Sequence, residues 1–427
     1  MRARPKDSSQ HPLVLPEPNA ARETLELDGD ERRKRRLVME MGRALHRFGA
    51  PAHRLEDALR RVSRLLGLEA KFFAVPTALF AFFGPLGSQK SGFVRIDDED
   101  VHLGKIAEID QVLARLFRGE LNPEGALERI REISKEPSRY GAAVSLAAFA
   151  LSSAAGAVFF GGGWMELVVA AFLGLLVGLL ARHVGRRASR HIFVPLAASL
   201  CAVVASGLNW LLGPYSTQVA TLAGIIYLLP GLTLTVALTE LSTRNLVAGT
   251  ARLTVAVLTL LGLGFGVALG TWFESFSPHS SAFTPEPLPL LVDLAAVVLA
   301  PLAFAVLFHA RRRDIGWILL ACILAFGASR AGSWAGGAYL GAAVGALSAG
   351  LYANIWGRSL GRPPIIVSVP AIILLVPGSM GFRSVAWMLA DDTISGIDAA
   401  FETGFVGMAL SVGLLMANVL VPPPRTV

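Results

Sequence analysis

Leu228-Leu229-Pro230-Gly231 and Leu375-Val376-Pro377-Gly378 each set a proline-glycine pair inside an apolar stretch long enough to cross a bilayer. Proline within a helix has no amide to donate and its ring strikes the preceding turn, while glycine lets another backbone approach closely. Each pair is therefore expected to break its helix inside the membrane. Interrupted spans in corresponding places of two halves point to the binding site of a secondary transporter.

The chain around these pairs is 53% hydrophobic and only 17% charged, with the apolar residues gathered in long runs after about residue 140. This composition predicts a polytopic α-helical membrane protein. All the lysines (Lys6, Lys34, Lys71, Lys90, Lys105, Lys135) fall in the preceding segment, which reads as a separate domain. The net charge of +7 comes from arginines of the kind that mark cytoplasmic loops, so nucleic acid is not the expected partner. Cys201 and Cys322 sit alone in apolar segments, which implies neither a disulfide framework nor a zinc site. No cofactor or metal is expected.

Residues 1–30 carry Pro5, Pro12, Pro16 and Pro18 among polar residues and read as a disordered tail. Residues 31–139 read as a small α+β cytoplasmic domain. Leu37, Met41, Leu45 and Phe48 recur at helical spacing, as do Leu55, Leu59, Val62 and Leu66, with Gly49 and Pro51 as stop and start between them. A β-like stretch follows at 71–83 and 92–97, then helices at 103–118 and 123–134. The run Arg32-Arg33-Lys34-Arg35-Arg36 reads as a solvated helix start, and His53 with Glu56 as packing or capping rather than an acid-base pair. Gly84-Pro85-Leu86-Gly87-Ser88-Gln89-Lys90-Ser91 lacks the glycine that a phosphate loop needs before its lysine, which argues against ATP-driven transport.

Ten membrane helices are predicted near 140–161, 164–182, 192–212, 217–238, 247–271, 288–308, 314–329, 333–354, 364–385 and 399–421, each about the 20 residues a bilayer requires. Alternating their ends puts Arg182, Arg186, Arg187, Arg190, Arg244, Arg311, Arg312, Arg313, Arg358, Arg362 and Arg425 on the side of the N-terminal domain. Only Arg330 and Arg383 fall opposite. By the positive-inside rule both termini are cytoplasmic. A first half at 140–271 and a second at 288–422 flank an extracytoplasmic loop at 272–287, with a cytoplasmic tail at 423–427. Five crossings per half make the repeat inverted, and the two Pro-Gly breaks would then face each other near the midplane.

A helix that restarts inside the membrane offers unpaired amides and a positive dipole end, suited to a carboxylate. Pro230, Gly231, Thr233 and Thr235, with Pro377, Gly378 and Ser379, are the expected substrate-binding residues, the hydroxyls holding polar groups without a buried charge. Asp293 and Glu402, carboxylates within predicted spans, are candidates for proton coupling. Glu240, Arg244 and Arg252 cluster at the cytoplasmic end of the fourth helix as a candidate gate. Small residues, such as Gly262, Gly264, Gly266, Gly270 and Gly336 to Gly345, suit close helix packing and make a homo-oligomer plausible.

Three motifs carry a family resemblance. Gly49-Ala50-Pro51-Ala52-His53-Arg54-Leu55-Glu56-Asp57-Ala58-Leu59 resembles the start of the cytoplasmic domain of the threonine/serine exporter family. Leu229 to Thr235, with Glu240-Leu241 and Arg244 to Leu253, resembles the signature of its first membrane half, and Val369-Pro370 with Leu375 to Arg383 that of its second. The resemblance covers residues 35–422 and implies a bacterial inner-membrane protein, not an enzyme, that exports threonine and serine on the proton motive force. Two-chain relatives are linked to dicarboxylate export, so a dicarboxylate such as succinate is the alternative cargo. A membrane-anchored sensor or enzyme working through residues 31–137, or a passive channel, are the readings from other classes.

Overall fold

The computed structural model describes residues 18–96, 100–183, 190–274, 283–375, 378–389 and 392–424. Its first element, α1, runs Pro18–Arg47, so the expected tail gives way to helix well before residue 30. Pro18 is the last of the tail's prolines and is tolerated in a helix's first turn, and the alanine, glutamate and leucine after it favour helix. Residues 1–17 lie outside the described residues. A second helix, α2 (Ala52–Leu65), packs on α1, and Leu37, Met41, Leu45, Leu55, Leu59 and Val62 are essentially solvent-free in the shared core.

The stretch expected as one β-like run is a hairpin: β1 (Ala70–Val75) and β2 (Ala78–Phe83) pair antiparallel about Pro76-Thr77, and β3 (Lys90–Arg95) adds to β2. Helices α3 (Leu103–Phe117) and α4 (Pro123–Lys135) complete this part. Ala248, from a later apolar helix, is buried in the same core.

Beyond residue 140 the chain is helical. By length and apolar character, eight helices among the described residues can cross a membrane, or nine if one bent pair counts as a single span. They begin with α5 (Ala142–Phe159), α6 (Trp164–His183) and α7 (Arg190–Leu212). The next expected helix is divided into α8 (Thr217–Gly224), a 3-10 turn at Ile226–Leu228, and α9 (Gly231–Ser242), with a 53° bend between the parts. Helices α10 (Leu246–Glu274) and α11 (Leu290–Leu307) follow, and part of the expected extracytoplasmic loop is thus helical, while residues 275–282 lie outside the described residues.

The two helices expected at 314–329 and 333–354 form one helical run, α12 (Ile315–Leu360), reversed at Gly336 and Gly337. Gly337 has φ +80°, a conformation that costs other residues dearly. A Cβ on Gly332 would lie 3.0 Å from Gly341 Cα, and one on Gly345 3.1 Å from the Ala325 carbonyl. Residues this far apart meet only if the arms run antiparallel, so the small-residue stripe forms a hairpin seam. The span expected at 364–385 is helical on either side of residues 376–377, which lie outside the described residues, as α13 (Ile365–Leu375) and α14 (Gly378–Leu389), and α15 (Thr393–Leu420) closes the bundle.

Two faces of the bundle are distinguishable. Trp164, Trp210, Trp272 and Trp334 are all exposed and lie at helix ends away from the N-terminal part, as an interfacial aromatic belt would. The opposite ends, around 240–252 and 308–314, touch α2 and α3.

Candidate functional site

Pro230 caps the restarting helix α9 without any side chain bonding the first amides, so the N–H groups of the first turn have no helical acceptor. Across from it is the start of α14. A Cβ placed on Gly378 would lie 3.2 Å from Gly231 Cα and 3.4 Å from Leu229 Cβ. The glycines of the two Pro-Gly pairs are therefore in backbone contact, which only residues without side chains permit. Pro377 itself lies outside the described residues.

Thr233 and Ser379 are half-buried, and Thr235 is 1% exposed. Hydroxyls in membrane helices usually bond the carbonyl one turn back. Thr239 does so to Thr235 and Thr243 to Thr239. Thr235 Oγ1, buried at the start of the second turn past the break, has no partner among the described residues. An unmade hydrogen bond in such a place costs free energy that an incoming polar group can recover.

The expected gate is partly assembled. Glu240 and Arg252 form a buried ion pair with N···O 3.2 Å, whereas Arg244 is exposed and belongs to the helix end instead. Its φ of +63° places it at the left-handed position after α9, where the Asn245 amide donates to the Glu240 carbonyl and the Arg244 amide to that of Leu241. Glycine is usual there. The one other described non-glycine residue with positive φ, His309, ends α11 in the same way.

Both helix ends meet the N-terminal part of the chain. The Ala52 amide, first in α2, donates to Glu240 Oε1 at 3.3 Å, so the buried carboxylate serves the ion pair and the start of α2 together. At α3, the Leu103 and Gly104 amides donate to the Phe308 and His309 carbonyls at 2.9 and 3.1 Å, joining the positive end of α3 to the negative end of α11. Tyr140 Oη donates to the Ala310 carbonyl at 2.7 Å, and the His102 and His309 rings stack at 4.6 Å.

Burial, with Arg54 and Arg252 nearby, pulls the His53 imidazole down to about 4, against the opposing influence of Asp57. Burial, His309 and Lys105 pull His102 down to about 3. Unfolded histidine titrates near 6.5, so as the pH falls from there the unfolded chain takes up protons that the docked chain refuses. Stability is thus held above about pH 6.5 and lost progressively toward pH 4, by about 3 kcal/mol for His53 at one pKa unit per 1.36 kcal/mol. The expected result is a thermal midpoint that drops over this range and drops less in a His53→Gln, His102→Gln variant. Parallel curves would assign the loss to other groups.

The two coupling candidates lie on α11 and α15. Asp293 is exposed in the first turn of α11, and Glu402 is half-buried on α15, beside Thr403, which packs near Gly381 of α14. Among the described residues, three essentially fully buried carboxylates stand elsewhere: Glu240, Asp314 and Glu166. Glu166 accepts from the Gly163 amide at 2.8 Å and from the Ser216 amide at 2.7 Å, capping α6 and α8 at once on the face with the tryptophans. A glutamate three residues into a helix is half of a capping box, the signal that marks it in the sequence.

Comparison with known proteins gives the arrangement its relations. A family described as "Putative threonine/serine exporter" matches residues 36–273, and a second, "Threonine/Serine exporter, ThrE", matches residues 293–420. The chain belongs to the threonine/serine exporter family. It is a multi-pass membrane protein of an exporter family rather than of an enzyme family. Gly231, Glu240 and Arg252 lie in the first matched region and Gly378 in the second, so the glycine contact joins the two exporter regions.

Relatives of this chain include pheromone-regulated membrane protein 10 of Candida albicans, 27% identical over 90% of this chain and 37% of the relative, and that of Debaryomyces hansenii, 27% identical over 91% and 42%. An uncharacterized protein of Schizosaccharomyces pombe is 25% identical over 92% of this chain and 56% of its own length. The chain thus spans about two-fifths to somewhat over half of these fungal proteins. No solved structure matches it.

Proposed function

We propose that the chain is a secondary active exporter of small polar amino acids, threonine and serine, driven by the proton motive force. The observation that carries this reading is the backbone contact between Gly231 and Gly378 at the starts of α9 and α14. A carboxylate at the open amides of α9 gains hydrogen bonds and the helix dipole, and Thr233, Thr235 and Ser379 are within the first turns that would hold the rest of the substrate. The buried, unpartnered hydroxyl of Thr235 supports a polar ligand there over a merely kinked helix.

In this reading the crossings number ten: α5, α6, α7, the α8–α9 pair and α10, then α11, the two arms of α12, the α13–α14 pair and α15. They form two inverted halves that rock to alternate access, in the cytoplasmic membrane of a bacterium with both termini inside. The Glu240–Arg252 pair closes the cytoplasmic end. Of the acids proposed for proton coupling, Glu402 is better placed than Asp293, because its neighbour Thr403 packs on α14.

Proteoliposomes loaded with labelled threonine, serine or succinate test the assignment. Threonine and serine efflux is expected to rise with a pH gradient and collapse with a protonophore. Efflux of succinate alone would reassign the cargo to a dicarboxylate, gradient-independent efflux would make the protein a passive channel, and none at all would overturn the transport reading.

A further inference from the structure

Where α3 approaches the α11–α12 turn there is a cleft of about 370 Å³, lined by Glu108, Gln111, Arg139, Arg311, Arg312 and Arg313. Four guanidiniums face one carboxylate, and that carboxylate, Glu108, is already paired with Arg139. Asp314, just behind the lining, is shared by Arg311 at 2.8 Å and Arg362 at 2.7 Å. Among the described residues Arg312 and Arg313 have no ion-pair partner, and both are exposed. The cleft therefore carries a clear excess of positive charge.

Arginines after a membrane helix often do no more than fix its orientation, and for that purpose they sit in water. Arg311 does not. It is 3% exposed, with Nε bonded to Asp314; with the Gln111 amide assigned so that its oxygen faces the arginines, that oxygen accepts from Arg311 Nη1 at 3.2 Å and from Arg313 at 2.6 Å. The remaining Arg311 nitrogen, Nη2, is buried and has no hydrogen-bond partner among the described residues. Burial also disfavours the Arg311 charge despite Asp314, so a second anion would stabilise it.

We propose that this cleft binds a phosphate-bearing anion, held between α3 and the start of α12 by Arg311, Arg312 and Arg313. Arginine's planar fork matches phosphate oxygens in pairs, and the volume is at the lower end for a small-molecule site, larger than one carboxylate needs. Arg311 follows the end of α11 by four residues and precedes α12, so the site lies where phospholipid headgroups lie, and also opens to soluble phosphates. Either source would tie the N-terminal domain to the membrane helices.

The full-length protein is reconstituted in nanodiscs of pure phosphatidylcholine, and inorganic pyrophosphate is titrated at constant ionic strength while binding and thermal unfolding are followed. A parallel set contains phosphatidylglycerol. Pyrophosphate is expected to raise the unfolding midpoint by a few degrees. Arg312→Gln with Arg313→Gln, both exposed and without an ion-pair partner among the described residues, is expected to weaken its binding by roughly tenfold or more, the size of a lost charge-assisted hydrogen bond. If phosphatidylglycerol alone raises the midpoint and removes the pyrophosphate effect, with both changes lost in the variant, the source is a lipid headgroup. If pyrophosphate acts equally in both lipids, the source is soluble. No shift with either anion, or equal shifts in the variant, overturns the proposal.

Discussion

Replacing Glu240 with alanine is expected to destabilise the protein by about 3–5 kcal/mol, because it leaves the Arg252 guanidinium buried and uncompensated. Glu240 is fully buried and Arg252 nearly so. The same change removes the acceptor of the Ala52 amide, so the beginning of α2 should loosen from the bundle. Thermal unfolding and the rate of tryptic cleavage near Pro51 read the two effects separately. The double change Glu240→Leu, Arg252→Met removes both charges together and should be much milder, since apolar replacement of a buried pair is often neutral or stabilising. A single variant no less stable than the double would show that the pair carries little.

Gly378→Val and Gly231→Val are expected to lower transport by about ten- to a hundredfold. A Cβ at Gly378 already falls 3.2 Å from Gly231 Cα, tighter than ordinary contact, and the valine methyls add to it. Overpacking costs roughly 1–3 kcal/mol, and 1.4 kcal/mol is a factor of ten when it falls on the binding-competent arrangement. Thr235→Val separates substrate recognition from packing. It keeps the shape and removes a hydroxyl that has no partner to lose, so stability should be unchanged or slightly higher while transport falls. A variant that loses stability but transports normally would make Thr235 a structural residue, and full transport by the two valine variants would remove the glycine contact from the mechanism.

Much of this was legible locally. Helical spacing marked Leu37 to Phe48 and Leu55 to Leu66 as core because burial follows periodicity, and proline chemistry marked the break at Pro230. The Glu240–Arg252 pair was within reach of the sequence because the residues are twelve apart across one turn, but Arg244 was included by proximity alone and in fact ends α9. The hairpin in α12 was legible as two spans, at 314–329 and 333–354, but its turn was set too early: Gly336 and Gly337 looked like part of a packing stripe, and only their dihedral angles make them the reversal. What no local pattern carries is contact between Ala52 and Glu240, or between Leu103 and Phe308, where backbone amides meet acceptors some two hundred residues away. The arginines at 311–313 were equally opaque, since the positive-inside rule explains their presence without asking whether one of them is buried.

The N-terminal part of the chain is fastened at α2 to the α9–α10 end and at α3 to the α11 end. If those ends belong to parts that swing against each other, the domain is a tie-bar across a hinge. A tie-bar of fixed length permits one hinge angle, so each turnover must unhook one fastening or flex the domain between them. The easier fastening to unhook would set the pace of the cycle, and a cell that altered its hold on that one fastening would throttle the traffic without touching the passage itself.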